Sequence, residues 1–231
     1  LLSRGAERKL TKRDGYCIAS LSWVLFSAFG MLPFYLSGSV DSITNAFFET
    51  MSGFTTTGAT IMDNIDSQPH GILFWRSLTQ WIGGLGIVCF AIAILPIFNE
   101  GNMQLFSAEA TGVTHNKLHP KISIMVKWIW GVYLMLTTSV TLLLYIGGMN
   151  WFDAVCHAFA TTATGGYSTK QASVAYWNSP FIEYVISSFM IISSFNFGLF
   201  YLIIKGKVSK MFRDEELRWF LSSIFLSLIH I

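Results

Sequence analysis

The chain has 231 residues, of which 52% are apolar and only 12% charged, with 20 Phe and 8 Trp. That share of charge is about half of what soluble domains carry, which argues against a water-soluble globular protein. The formal net charge of +2 says little as a total, and the odd set Cys17, Cys89 and Cys156 has neither CxxC nor His/Cys metal spacing, so it reads as small buried hydrophobes.

In chain order, residues 1–15 carry Arg4, Arg8, Lys9, Lys12 and Arg13 and read as a solvated N-terminal segment. No apolar core with a small-residue cleavage site follows, so this is not a signal peptide. A first apolar span runs over 16–36, interrupted late by Pro33. Residues 37–71 are rich in Ser, Thr, Gly and Asp, with a short helix-like stretch in their middle. A second span covers 72–98, and 99–121 is polar. A third span covers 122–146, 147–179 is again mixed, and a fourth span is predicted over 180–204. Residues 205–218 are charged, and 219–231 begins another apolar run. Each of the four spans reaches the roughly 20 residues needed to cross the hydrocarbon. The chain opens mid-pattern and closes inside an apolar run, which reads as a segment of something longer.

All Lys and Arg except Arg76 and Lys170 lie in or beside 1–15, 99–127 and 205–218. By the positive-inside rule those segments are cytoplasmic and the two mixed segments external. The mixed segments also resemble each other. Ser39–Thr60 and Asn150–Thr169 each have a polar, capping-type start, then an Ala/Phe-rich helical stretch, then a Thr-rich run closing on Thr-Gly. Gly58 and Gly165 are matched at a spacing of 107 residues. Internal repetition is a strong fold-level signal. It divides the chain into pore repeat 1 (16–98), a cytoplasmic loop (99–121), pore repeat 2 (122–204) and a linker into a further repeat (205–231).

The short helices, about 14 residues and so about 20 Å long, reach mid-membrane without crossing it. The loop that follows each must climb back to the same side. Backbone at that depth is tolerated only when buried in protein or lining a wet cavity. A dehydrated cation needs oxygens in place of its water shell, and backbone carbonyls supply them without a trapping charge. The predicted fold is therefore all-α integral membrane, with span–pore helix–re-entrant loop–span units in parallel pseudo-symmetry. Thr56, Thr57, Gly58 and Ala59, with Ala163, Thr164, Gly165 and Gly166, are the candidate filter residues. A plain helix C-cap is the alternative for each Thr-Gly. The C-terminal ends of the pore helices would favour a cation. Asp41, Glu49, Asp63, Asp66 and Asp153 give an acidic outer bias, although Asp41 and Asp153 also fit helix starts and Glu49 also fits a buried, bonded place.

The runs AFFETMSGFTTTGAT (46–60), FWRSLTQWIGGLGIVCFAIAILP (74–96), LFSAEATG (105–112) and ATTATGGYST (160–169) resemble those of the TrkH/KtrB potassium-uptake family. The resemblance covers nearly the whole chain. It implies four linked repeats around one pore, with two of them here and Gly58 and Gly165 as filter glycines. It implies K+ bound by the carbonyls of Thr56, Thr57, Ala163 and Thr164, no organic cofactor, a homodimer in the bacterial inner membrane, and gating by a cytosolic nucleotide-binding ring of RCK/TrkA type. No nucleic-acid partner is expected. The loops differ from the TVGYG of tetrameric channels, so K+ over Na+ selectivity rests on the resemblance.

Other residues carry open readings. Gly83, Gly84 and Gly86 suit close helix packing or a hinge. Asn196 and Gly198 interrupt the fourth span and suit helix–helix hydrogen bonding or a cavity wall. Arg76 either snorkels to the interface or braces the pore loop through Glu49, Asp63 or Asp66. His157 suits packing, a proton relay or a metal, while His115 and His119 suit a solvated loop. Residues 99–121 and 205–218 are candidate docking surfaces. Against a K+-conducting subunit stand a less selective K+/Na+ transporter, an intramembrane hydrolase using Ser168 and His157, and a scaffold without a pathway. The hydrolase lacks GxSxG and HExxH and leaves the repeat unexplained, so no enzyme is expected.

Overall fold

The computed structural model describes residues 12–98, 122–196, 199–200, 203, 206 and 208–229. Most of the N-terminal basic segment, the 99–121 loop with LFSAEATG, His115 and His119, and Gly198 lie outside the described residues. Among the described residues the chain is helical throughout, without a strand.

Helix α1, Lys12–Gly30, and α2, Leu32–Leu36, form the first span. Pro33 stands in the first turn of α2, where its missing N–H leaves no partner wanting. The chain then runs on to α3, Ile43–Phe54, of 12 residues, about 18 Å long. Helix α4, His70–Phe98, has 29 residues and extends about 43 Å. The second half repeats the order with α5, Ile122–Ile146, of 25 residues, and α6, Trp151–Thr162, of 12. Asn150 caps α6: its side-chain oxygen accepts the Asp153 N–H at 2.8 Å. A 3-10 turn, Ser173–Trp177, leads to α7, Pro180–Ser193. Helices α8, Val208–Met211, and α9, Glu215–Ile229, follow.

The fourth predicted span is interrupted where the sequence suggested. Helix α7 has 14 residues, about 21 Å, and ends at Ser193, and Leu199, Phe200 and Ile203 are helical again. Ser194 and Phe195 turn back on the last carbonyls of the helix, with the Phe195 N–H on Ile192 O at 3.1 Å. Asn196 Nδ2 then donates to Glu216 Oε2 of α9 at 3.3 Å, the helix–helix bond the sequence suggested.

Each short helix is packed inside its own repeat, α3 against α1 and α4, α6 against α5 and α7, with α6 also against α4. Phe34, Val40, Ala46, Met62, Ile65, Ile72 and Leu73 form the first core; Val140, Leu144, Met149, Ala154, Ala158, Ile182 and Ile186 form the second. The outer faces are apolar too: Phe29 is 70% and Ile146 73% exposed. A belt of this kind is matched to hydrocarbon, not to water. Two stretches, Tyr16–Leu36 and Lys127–Ile146, are apolar and long enough to cross a membrane. Helix α4 has the length as well.

Candidate functional site

Helices α3 and α6 end in the same way. After Phe54, the Thr56 N–H bonds to Gly53 O at 3.0 Å and the Thr57 N–H to Ser52 O at 2.9 Å. After Thr162, the Thr164 N–H bonds to Thr161 O at 3.0 Å and the Gly165 N–H to Ala160 O at 2.8 Å. This is a Schellman termination, with the left-handed residue usually a glycine. Here it is a threonine both times, Thr56 and Thr164, each at φ +54°. The helices thus do end in left-handed caps, but at Thr56 and Thr164, ahead of Gly58 and Gly165.

The match fixes the register of the repeat. The helices start 108 residues apart, at Ile43 and Trp151. Gly58, at φ +77°, corresponds to Gly166, at φ +83°. The pairing of Gly58 with Gly165 is therefore corrected by one residue; Gly165 takes the place of Thr57. Glycine at 58 and 166 is explained by backbone conformation, which disfavours a Cβ.

The two loops meet. A Cβ built on Gly58 would stand 2.0 Å from the Gly165 carbonyl oxygen. Among the described residues no hydrogen bond reaches the carbonyls of Thr56, Thr57, Gly58, Ala163, Thr164, Gly165 or Gly166. Unpaired carbonyls are uncommon where water is scarce, and here they cluster. Ala59 departs from the expected set: its carbonyl accepts from Ser52 Oγ at 2.6 Å and from Tyr167 OH at 3.3 Å. Its oxygen is turned into the protein as a brace.

Side chains hold each loop from behind. Glu49, fully buried, accepts from Thr60 Oγ1 at 2.9 Å and from the Ile61 N–H at 2.9 Å, and Thr60 Oγ1 accepts the Met62 N–H at 3.1 Å. At the equivalent place in the second repeat, His157 Nε2 lies 2.9 Å from Ser168 Oγ, which accepts the Lys170 N–H at 3.0 Å. His157 Nδ1 lies 2.8 Å from Asp153 O, so in the neutral ring Nδ1 donates and Ser168 donates to Nε2. The Ser168–His157 pair that suggested a hydrolase is the counterpart of Thr60–Glu49. It is a buried brace with a backbone carbonyl, not a carboxylate, behind the imidazole. Asp153 accepts from Thr169 Oγ1 at 2.6 Å and from Asn150 Nδ2 at 2.6 Å. Glu49 and Asp153 therefore face inward, and only Asp41, Asp63 and Asp66 remain on the outer surface. Asp41 is not the cap of α3; Ser42 occupies that position.

Arg76 joins the repeats. Its Nε lies 2.6 Å from Glu49 Oε1, and its Nη1 donates to Ser168 O at 3.0 Å. The guanidinium carbon lies 3.6 Å from the ring centre of Tyr167, whose OH donates to Glu49 O at 2.9 Å. Arg76 is 1% exposed, which overturns the snorkelling alternative. Helix α4 also provides room for α3 and α6. A Cβ on Gly83 would stand 1.9 Å from Phe54 O, and one on Gly84 3.1 Å from Ala163 Cα. Gly86 has only Trp23, 4.0 Å away. Gly83 and Gly84 are sites of close packing; Gly86 is not. Among the described residues no cluster of His, Cys, Asp and Glu is able to hold a metal ion.

Sequence reasoning missed Gln80, Tyr167 and Ser52. Gln80 carried a signal: a lone amide in an apolar span, one turn beyond Arg76.

The family model for TrkH, described as a cation transport protein, matches residues 2–229. The chain belongs to the TrkH family. It is 44% identical over 226 residues to the Trk system potassium uptake protein TrkH of Escherichia coli (strain K12), covering 96% of this chain and 47% of that protein. TrkH of Halomonas elongata is 43% identical over 222 residues, 95% of this chain and 46% of the relative. The crystal structure of the potassium transporter TrkH from Vibrio parahaemolyticus matches with a TM-score of 0.82 and 36% identity, over 96% of this chain and 46% of that one. The chain thus spans about half the length of these TrkH relatives, at 46–47% of each. Membership of a cation-transport family, with an all-helical fold and crossing-length apolar helices, makes it a membrane protein.

Proposed function

We propose that the chain carries two of four pore repeats of a potassium-uptake subunit. K+ passes through the oxygens of Thr56, Thr57 and Gly58 on one side and of Ala163, Thr164, Gly165 and Gly166 on the next. The single observation that supports this reading best is the convergence of two identically built loops whose carbonyls have no partner among the described residues. A file of such oxygens replaces a hydration shell, and the C-terminal ends of α3 and α6 add a favourable potential for a cation. The relatives named above, potassium uptake proteins, point to the same ion. Transport, not catalysis, is the activity this arrangement suits.

The family resemblance extends the proposal to a homodimer in the bacterial inner membrane, with mixed segments outside and a cytosolic nucleotide-binding ring as gate. The exposed basic stretch around α8, with Lys210, is the surface this chain offers such a ring.

The test uses the full-length protein in liposomes. Rubidium uptake driven by a gradient is expected from the unaltered protein. Gly58→Asp or Gly166→Asp is expected to abolish it without loss of monodisperse protein. Uptake that survives both substitutions would refute the site assignment, and equal Na+ uptake would move the reading to an unselective transporter.

A further inference from the structure

We propose that Gln80 is a specificity-determining positioning residue. Its carboxamide wedges against the second filter loop, sets the gap to the first, and thereby favours K+ over the smaller Na+. The inference rests on the conduction pathway proposed above.

Gln80 lies on α4 of the first repeat, fully buried. Four residues after Arg76, it stands on the same helix face. Arg76 holds the Ser168 carbonyl, and Gln80 Oε1 accepts the neighbouring Tyr167 N–H at 3.1 Å. One helix of the first repeat therefore grips the second loop at two adjacent residues.

The space around Gly165 shows what the grip does. A Cβ on Gly165 would stand 2.3 Å from Gln80 Cδ and 2.6 Å from both Oε1 and Nε2. The carboxamide occupies the place of a side chain at 165. Gly165 is absent from the left-handed glycines, and its counterpart in the first loop is Thr57. Backbone conformation does not demand glycine there; Gln80 does. On its other side the Gly165 carbonyl meets Gly58. Gln80, Gly165 and Gly58 thus form one line of contact across the seam between the loops, and the length of the Gln80 side chain sets where the Gly165 carbonyl stands.

The remaining polar atom fits this place. Gln80 Nε2 is buried with no hydrogen-bond partner among the described residues. Buried amide groups are normally paired. Nε2 lies 3.8 Å from the Cβ position of Gly58, so a donor sits beside the carbonyl-lined seam. Discrimination between K+ and Na+ depends on where such carbonyls stand, whether through cavity size or through their number and field.

The experiment measures rubidium and sodium uptake by full-length protein in liposomes. Gly165→Ala is expected to abolish rubidium uptake, because the new methyl collides with the carboxamide. Gln80→Ala is expected to retain uptake but lower the rubidium-to-sodium ratio at least about threefold, since a loosened support displaces the filter oxygens. The double variant Gln80→Ala/Gly165→Ala is expected to regain uptake at least about tenfold above Gly165→Ala, the methyl filling the vacated space. Gln80→Asn, which keeps the amide but is one methylene shorter and so withdraws the carboxamide from Gly165, carries the ratio test if the alanine variant fails to accumulate. An unchanged ratio in Gln80→Ala or Gln80→Asn, or a double variant as inactive as Gly165→Ala while monodisperse, overturns the proposal and leaves the pathway standing. No rubidium uptake by the unaltered protein overturns the pathway, and this inference with it.

Discussion

Glu49 and Arg76 are both withdrawn from solvent, at 0% and 1% exposure, and 2.6 Å apart. Two such charges are held only because every side of the pair is bonded: Thr60 and the Ile61 N–H on the carboxylate, the Ser168 carbonyl and the Tyr167 ring on the guanidinium. Removing one partner strands the other. Arg76→Ala is expected to lower the unfolding free energy of detergent-solubilised full-length protein by about 3–5 kcal/mol and to abolish uptake. Glu49→Gln with Arg76→Ala is expected to cost less than the two single changes together, because the uncompensated charge is gone. Additive effects in that double-mutant cycle would show the pair to be uncoupled. The pair was legible in the sequence: an arginine inside an apolar span needs a partner, and Glu49 was among its three named acids. The partner's identity needed coordinates, since Asp63 and Asp66 are nearer to Arg76 in sequence than Glu49 is. Gln80 was not singled out because an amide in a span announces no charge to be matched. Its meaning lies in Gly165, 85 residues away.

At the scale of elements, the design is two half-length helices brought end to end against one long one. Gly83 receives the last turn of α3 and Gly84 the end of α6. The carbonyl of Phe54 stands where a methyl on Gly83 would go, and backbone at a helix end yields less readily than a flexible side chain. Gly83→Ala is therefore expected to reduce folded yield and uptake sharply, although alanine favours a helix over glycine by about 1 kcal/mol. Gly86→Ala, three residues on and with only Trp23 within 4.0 Å, is expected to leave uptake unchanged and stability within about 1 kcal/mol of the original or above it. Equal effects at 83 and 86 in a thermal-unfolding and uptake comparison would count against the packing account. The half-length helices themselves were readable from their polar starts and Thr-Gly ends. Their register was misread by one residue because glycines were matched to glycines. Gly58 and Gly166 share a conformation, whereas Gly165 is small for the sake of a neighbour. The break after α7 was legible as well: hydropathy continues past Ser194, but Asn196 interrupts the run, and helical residues resume only at Leu199.

For the whole molecule, the decisive relation is that both mixed segments lie on one side. The Ile65 N–H donates to Gln171 Oε1 at 3.1 Å, and Lys170 Nζ lies 3.9 Å from Asp66 Oδ1. With Gly58 against Gly165, these contacts tie the segment before α4 to the segment after α6. Of the Lys and Arg among the described residues, only Arg76 and Lys170 belong to that end, and Arg76 is committed to Glu49. The other described basic residues, Lys12, Arg13, Lys127, Lys210, Arg213 and Arg218, lie away from that end, the distribution that the positive-inside rule associates with a cytoplasmic face. Two exposed serines report the sides, Ser67 before α4 and Ser209 in α8. In a cysteine-free form of the full-length protein, an impermeant maleimide added to intact cells is expected to label Ser67→Cys and to spare Ser209→Cys until the inner membrane is opened. Labelling of Ser209→Cys from outside would invert the topology. The pore loops would then open toward the cytosol, and the acidic residues Asp41, Asp63 and Asp66 would no longer stand where they raise the concentration of cations arriving from outside.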